Sequence, residues 1–430
     1  MALVLFVSLF VGMLLEIPIA FAMILSCIIA IYSFFPTTNM LILLGQAMIT
    51  TADSFPLMAI PFFMLVGTLM ARSGLAMEII EVGEAFTGDS PGGLGDATIV
   101  SCMIFASISG SGPAVVAALG TFLIPAMIKR NYDTAYAGAI VASGATIGPV
   151  IPPSIPMIVF GVVGGVSVVS MFAGGLIPGI LMGISLIIAN RIISKKRGYQ
   201  GKAREGDWRW VLKKCWNARW ALLLPFIILG GIYGGVFTPT EAAVIGCVYA
   251  LFTGRVIYKQ LSSKDIKDAM VEAALLSCIA MFVLGGATTF GRLLTIERIP
   301  QTLAMGMLSV SSSPIVVMML IMGFLLISGM FIDTTSNIVL FAPLFLPVIK
   351  QIGMNPVYFG VLMTVNLCIG MITPPVGVNL YVAQGVCAAP FEKIIKETMP
   401  LLLALLITMA LVMIFPELVL FLPRLLGSPV

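Results

Sequence analysis

Four glycine- and proline-rich interruptions break otherwise apolar stretches of this chain, and they fall at matched places in its two halves. The first pair is SISGSGPA (Ser107 to Ala114) and GATIGPVIPPS (Gly144 to Ser154). The second pair is GMFIDTTSN (Gly329 to Asn337) and NLCIGMITPPVG (Asn366 to Gly377). At a constant offset of 222 positions, Pro125, Tyr136, Gly138, Ile147, Gly148, Pro152 and Pro153 meet Pro347, Tyr358, Gly360, Ile369, Gly370, Pro374 and Pro375 without a gap. Proline removes an N–H and blocks the carbonyl four residues back, so a helix must unwind there. Freed backbone groups inside a bilayer survive only where protein, water or a ligand satisfies them. Paired breaks at corresponding places in two halves are a sequence pointer to a transporter site.

Composition supplies the membrane. Of the 430 residues, 60% are hydrophobic and only 10% are charged, where a soluble domain carries about a quarter charged residues. Apolar runs long enough to span a bilayer recur along the whole length. Positive charge gathers between Arg191 and Arg219, in Arg191, Lys195, Lys196, Arg197, Lys202, Arg204, Arg209, Lys213, Lys214 and Arg219. A short basic loop between spans faces the cytoplasm, so the net charge of +4 is a topological signal with no nucleic-acid partner behind it. No Lys or Arg precedes Arg72, which argues against a cleavable signal peptide. The seven cysteines form no close pair, and the chain has no histidine. That excludes a histidine-based proton relay, a haem ligand and a Ser-His-Asp triad, and it makes a disulfide framework an unsuitable reading.

The organisation expected from these features is all-α and polytopic. A first repeat runs over 1–193 with a hairpin near 95–128. A basic cytoplasmic loop follows at 194–218. A second repeat covers 219–430 with a hairpin near 315–350. Whether the second copy is inverted depends on the parity of spans per half, which the apolar pattern leaves open.

The breaks also hold the polar residues. Ser107, Ser109 and Ser111 alternate with Gly110 and Gly112. Hydroxyls and freed carbonyls are hard oxygen ligands that suit a small cation, although small residues also serve plain helix packing. Asp333 interrupts an apolar stretch from Ile315 to Leu346 that otherwise lacks charge. An intramembrane carboxylate is a functional candidate by default, and an aspartate before Thr334 is equally a helix N-cap. Half-helix N-termini at the breaks suit an anionic substrate, and Ser111, Pro152, Pro153, Thr335, Asn337, Pro374 and Pro375 are the residues expected to face it. Arg72 and Arg298 read as snorkelling at helix ends, and Arg292 stays open.

The segments SISGSGPAVVAALG (Ser107–Gly120), IGPVIPPSIPMIVFG (Ile147–Gly161), GVFTPTEAA (Gly235–Ala243) and GMITPPVGVNLYV (Gly370–Val382) resemble the large transmembrane subunit of tripartite ATP-independent periplasmic (TRAP) transporters, over nearly the whole chain. The resemblance implies inverted repeats with two re-entrant hairpins and an elevator-type mobile domain, similar to divalent anion/sodium symporters. It implies sodium ions at the hairpin tips and facing breaks, here Ser107, Ser109, Gly112, Gly144 and Gly148, then Gly329, Asp333, Thr334, Asn366, Gly370 and Thr373. It also implies a small four-helix membrane subunit, a periplasmic substrate-binding protein, and a bacterial inner membrane with its lipids. Some family members fuse the small subunit to the large one, and this chain reads as the large one alone.

The function expected is sodium-coupled import of a small organic acid, sialic acid or a C4-dicarboxylate, and not enzymatic catalysis. A self-sufficient sodium/dicarboxylate symporter is the alternative with the same fold. An ion channel is a weaker one, because two unequal copies in one chain suit a single asymmetric site better than a symmetric pore.

Overall fold

The computed structural model describes all residues except 36–38, 88–89, 200, 202–207, 311–312 and 429–430, and it omits the side chains of 39, 43, 75–77, 106–108, 208, 304, 308 and 310. Lys202 and Arg204 of the basic loop therefore lie outside the described residues, as does the side chain of Ser107. The described residues form α-helices joined by short turns, with no strand among them.

The first half opens with α1 (Ala2–Leu14), α2 (Ile19–Phe34), α3 (Asn39–Ala52), α4 (Ala59–Arg72) and α5 (Leu75–Thr87). A helical hairpin follows, made of α6 (Gly93–Ser109) and α7 (Gly112–Lys129). A broken helix comes next, α8 (Thr134–Ala145) and α9 (Ile155–Gly164), then the long α10 (Val168–Arg197). The second half has α11 (Trp208–Asn217), α12 (Arg219–Tyr233), α13 (Pro239–Phe252), α14 (Ser263–Ile296) and α15 (Ile299–Val310). Its hairpin is α16 (Pro314–Gly329) with α17 (Thr334–Gln351), its broken helix α18 (Pro356–Gly370) with α19 (Val378–Cys387). It closes with α20 (Phe391–Ile414) and α21 (Glu417–Leu425).

Local chemistry sets these boundaries. Asp133 and Asn355 cap α8 and α18 by accepting from backbone N–H groups. Thr238 and Ser262 start α13 and α14 with capping boxes closed by Glu241 and Asp265, which satisfy orphan N–H groups reciprocally. The described residues of the stretch expected as a basic loop are largely helical. Helix α10 runs through Arg197, and α11 places Lys214 against Glu81 at 2.7 Å and over the Trp210 ring. Helix α11 buries Val211 and exposes Arg209, Lys213 and Trp216, a mix of basic and aromatic side chains that suits a helix lying along an interface.

Among the described residues six helices are long and apolar enough to cross a membrane, or seven if the bent pair Arg209–Asn217 with Arg219–Tyr233 counts as one span. Their outward faces carry exposed Phe226, Val248, Leu275, Ile279 and Leu403, which fits a lipid-facing surface. The two hairpins and broken helices pack crosswise: α19 lies on α7 and α8, while α9 lies on α17. Around them, α14 touches α2, α3, α4 and α17, and α4 also packs on α13.

One polar cluster is buried inside this assembly. Asp96, whose side chain is wholly inaccessible, pairs with Arg191 at 2.7 Å and accepts from Asn190 at 2.7 Å. Asn190 in turn accepts from Tyr136 at 3.0 Å and donates to the Gly92 carbonyl at 3.0 Å. The base of the first hairpin is thereby tied to α8 and α10.

Candidate functional site

The tip of the first hairpin is three residues long. Ser109 ends α6, Gly110 adopts φ +61°, and Ser111 precedes α7 in an extended conformation without capping it. A β-carbon on Gly110 would also come within 3.2 Å of the Pro153 carbonyl and 3.3 Å of the Ile155 N–H nitrogen. Glycine is therefore required twice over, by its left-handed backbone and by the close approach of the break between α8 and α9. A β-carbon on Gly112 would meet the Asn379 amide at 3.1 Å and the Ala145 carbonyl at 3.3 Å. The tip thus faces the break of its own half and a side chain from α19 of the other.

The second tip is built differently. Its backbone meets the facing break directly: a β-carbon on Gly370 would stand 2.7–2.9 Å from the backbone of Gly329. Thr334, buried at the start of α17, donates to the Met371 sulfur at 3.2 Å, and the Gly377 N–H donates to the Met330 carbonyl at 3.3 Å. Asp333 is exposed and caps α17, accepting from the Ser336 N–H at 3.0 Å and from the Ser336 hydroxyl at 2.5 Å. Asn337 is buried and braces the turn, donating to the carbonyls of Ile332 at 2.8 Å and Asp333 at 3.2 Å while accepting from Ser328.

Both breaks hold a cis Pro-Pro bond, Pro152-Pro153 and Pro374-Pro375. The first break is wholly buried, whereas Pro375 is exposed. Ser154 restarts the helix at α9, accepting from the Met157 N–H at 3.2 Å and donating to the Pro149 carbonyl. Thr373 donates to the Ile369 carbonyl at 2.8 Å.

Two buried amide oxygens near these breaks have no partner among the described residues. Asn366 on α18 donates to the Met322 carbonyl at 2.7 Å, and its Oδ1 is unpaired. Asn379 donates to the Ala142 carbonyl at 3.3 Å, and its Oδ1 is likewise unpaired. Because each nitrogen is held by a carbonyl, each oxygen must be the end left over, which fixes the amide orientation. An unpaired buried acceptor costs about 1–3 kcal/mol. The Ser143 hydroxyl on α8 is a third unpaired oxygen. Such a set of hard neutral oxygens beside freed carbonyls is the chemistry an alkali cation takes. Among the described residues no group of three or more His, Cys, Asp and Glu side chains could hold a metal ion.

The structure therefore gathers most of the expected residues at two tips and two breaks, with distinct roles. Ser109, Ser111 and Gly112 sit at the first tip, and Gly148, Pro152 and Pro153 in the break that faces it. Gly144 is a packing position, since its β-carbon would meet Cys102 at 3.1 Å. Gly329 and Gly370 form a backbone contact, and Thr334 and Asn366 stand beside it. Asp333 spends its carboxylate on the helix start, and Asn337 spends its amide on the turn. Thr335 is half-buried in the first turn of α17. Asn379 and Ser143 were not singled out from the sequence. The signal for Asn379 was present, as an amide one residue into an apolar helix after a Gly break.

The family model of the tripartite ATP-independent periplasmic transporter, DctM component, matches residues 6–418. The chain belongs to this family. It is 38% identical over 398 residues to a C4-dicarboxylate TRAP transporter large permease of Vibrio cholerae, covering 88% of both chains. It is 38% identical over 381 residues to the sialic acid TRAP transporter large permease of the same organism, covering 89% of both. An isethionate TRAP transporter permease of Oleidesulfovibrio alaskensis is 42% identical over 377 residues, spanning 88% of this chain and 59% of that relative. TRAP large permeases are transporter subunits of the bacterial inner membrane and not enzymes, in keeping with the membrane-spanning helices described above.

Proposed function

We propose that this permease is the translocation subunit of a sodium-coupled importer of a small organic anion. The observation that carries the reading is the pair of unpaired amide oxygens, Asn366 Oδ1 and Asn379 Oδ1, buried beside broken helices. A neutral cage of amide and carbonyl oxygens binds sodium at modest cost in desolvation, and half-helix N-termini nearby offer partial positive charge to a carboxylate. Sodium is cargo here, bound and released in each cycle. The relatives named above carry C4-dicarboxylate, sialic acid and isethionate in their names. A carboxylate or sulfonate is common to all three, and sialic acid or a C4-dicarboxylate is the proposed substrate.

The finer architecture belongs to the same proposal. Helices α7 and α17 begin 222 positions apart, as do α8 and α18, and the crosswise packing of α9 and α19 relates the halves by a pseudo-two-fold. Arg72 and Arg292 occupy near-matched positions, yet Arg72 pairs with Glu272, twenty residues before Arg292 on α14. At 1.5 Å per residue that is about 30 Å, the thickness of a hydrocarbon core. Matched residues at opposite faces are what inverted repeats produce. The hairpins are then re-entrant, and the crosswise group of α6–α10 with α16–α20 is the elevator that moves against α4, α13 and α14. A small four-helix membrane subunit and a periplasmic binding protein complete the transporter.

Proteoliposomes containing the reconstituted complex test the coupling. Uptake of succinate or N-acetylneuraminate should require sodium, with a Hill coefficient above one. Asn366→Ala and Asn379→Ala should each raise the sodium concentration for half-maximal uptake by about tenfold, the loss of one ligand worth about 1.4 kcal/mol. Equal uptake with potassium in place of sodium would overturn the reading.

A further inference from the structure

A cavity of about 360 Å³ lies between α4, α14 and the first hairpin, and Ser109, Ser111 and Ala114 share its wall with Thr68, Arg72 and Glu272. A second cavity of about 680 Å³ lies between α3, α14 and α17, with Thr288, Arg292 and Pro343 among its lining residues. Each cavity thus contains one arginine. They differ in what the arginine does. Arg72 Nη2 stands 2.8 Å from Glu272 Oε2. Arg292 has no ion-pair partner among the described residues.

The two arginines lie toward opposite ends of α14, by the axial distance given above. The Arg72 end is the basic-loop end. Just past Arg72, Gly74 abuts Gln260, and α5 beyond it is tied to α11 by Glu81 and Lys214 at 2.7 Å. By the charge bias of that loop, the Arg72 cavity is the cytoplasmic one. An anion leaving the first hairpin tip passes Arg72. A bare guanidinium there would grip a carboxylate or sulfonate through two parallel N–H bonds. Glu272 holds one arm of that fork, at Nη2.

We infer that Glu272 quenches Arg72 so that the exit cavity does not retain the departing organic anion, while Arg292, left unpaired, makes the opposite cavity attractive to it. The inference rests on the transport reading above. It assigns Glu272 a role in release and Arg72 a latent anion site that appears only when Glu272 is neutralised.

The test separates the field in the cavity from transport itself. Ala114→Cys places a thiol in the cavity wall, in a background with the exposed Cys278 replaced by serine. Its labelling rates with an anionic sulfonate and a cationic ammonium methanethiosulfonate are compared in the full complex, after subtracting the parent without Ala114→Cys. Glu272→Gln should shift the rate ratio about tenfold toward the anionic reagent, Arg72→Gln should shift it the other way, and the double variant should return it. In counterflow of succinate, N-acetylneuraminate or isethionate, measured without Ala114→Cys, Glu272→Gln should slow exchange several-fold and Arg72→Gln in the same chain should restore it. A ratio unmoved by Glu272→Gln, or exchange as fast as the parent's, overturns the inference. A parent complex that exchanges none of the three acids overturns the transport reading instead, and the labelling ratios then still decide the electrostatic half.

Discussion

Asp333 accepts hydrogen bonds from Ser336 through both carboxylate oxygens, while Asn366 and Asn379 each leave an oxygen unpaired. That difference ranks the side chains open to a cation. An N-cap aspartate contributes about 1 kcal/mol to its helix, and asparagine caps equally well. Asp333→Asn should therefore keep both the thermal stability and the sodium half-saturation of uptake, the latter within about twofold. Asp333→Ala should lower the midpoint of thermal unfolding through the lost cap. Loss of sodium dependence in Asp333→Asn would return the carboxylate to the cation site. From the sequence, Asp333 stood out because charge is rare in an apolar run. The cap was legible in the same residues, Asp-Thr-Thr-Ser, but exposure was not. Asn379 was visible as an amide just inside an apolar helix, but what it faces was not, since its partner surface is Gly112, in the other half of the chain.

The hairpins and breaks were legible as elements because proline and glycine act on the backbone within a few residues. Their mutual contacts are a property of packing. Gly370 and Gly329 touch backbone to backbone, so a methyl on Gly370 has nowhere to go, because the atoms it would meet are backbone atoms that cannot rotate away. Gly370→Ala should abolish uptake and destabilise the protein by about 1–3 kcal/mol, the usual cost of overpacking. Gly323→Ala, on the same hairpin with nothing within 4 Å of its β-carbon, should be tolerated. Comparing the two by uptake and by thermal unfolding in detergent separates a close approach from a general need for glycine. The base of the first hairpin offers a second contrast. Asp96 is enclosed and meets Arg191, Asn190 and Ser90. Arg191 is more than half exposed, so losing the carboxylate chiefly strands the buried Asn190 amide, and an unsatisfied buried donor costs about 1–3 kcal/mol. Asp96→Ala should accordingly lower thermal stability more than Asp333→Ala does. Nothing in the sequence around Asp96 announced this, because Asn190 and Arg191 lie far along the chain.

At the scale of the whole molecule, the elevator reading divides the helices into a moving group and a fixed one, and the cavity beside the first tip lies on the boundary. Leu276 on α14 and Ala117 on α7 both line it. If α7 travels with its cargo while α14 stays, a short bifunctional thiol linker joining Leu276→Cys to Ala117→Cys should stop uptake, and a cleavable linker should restore it on reduction. Two positions within the moving group provide the control. Val141 on α8 and Val386 on α19 both pack at 3.6 Å from where a β-carbon on Gly120 would lie. A linker between Val141→Cys and Val386→Cys ties together helices that keep their relation throughout the cycle, so uptake should persist. The comparison does not depend on the identity of the substrate, because each pair is measured against its own unlinked state. Uptake that survives the first linker would mean that α7 and α14 move as one body, and the elevator division would have to be redrawn. Uptake lost with both linkers would place the motion inside the crosswise group, between the broken-helix segments α8 and α19.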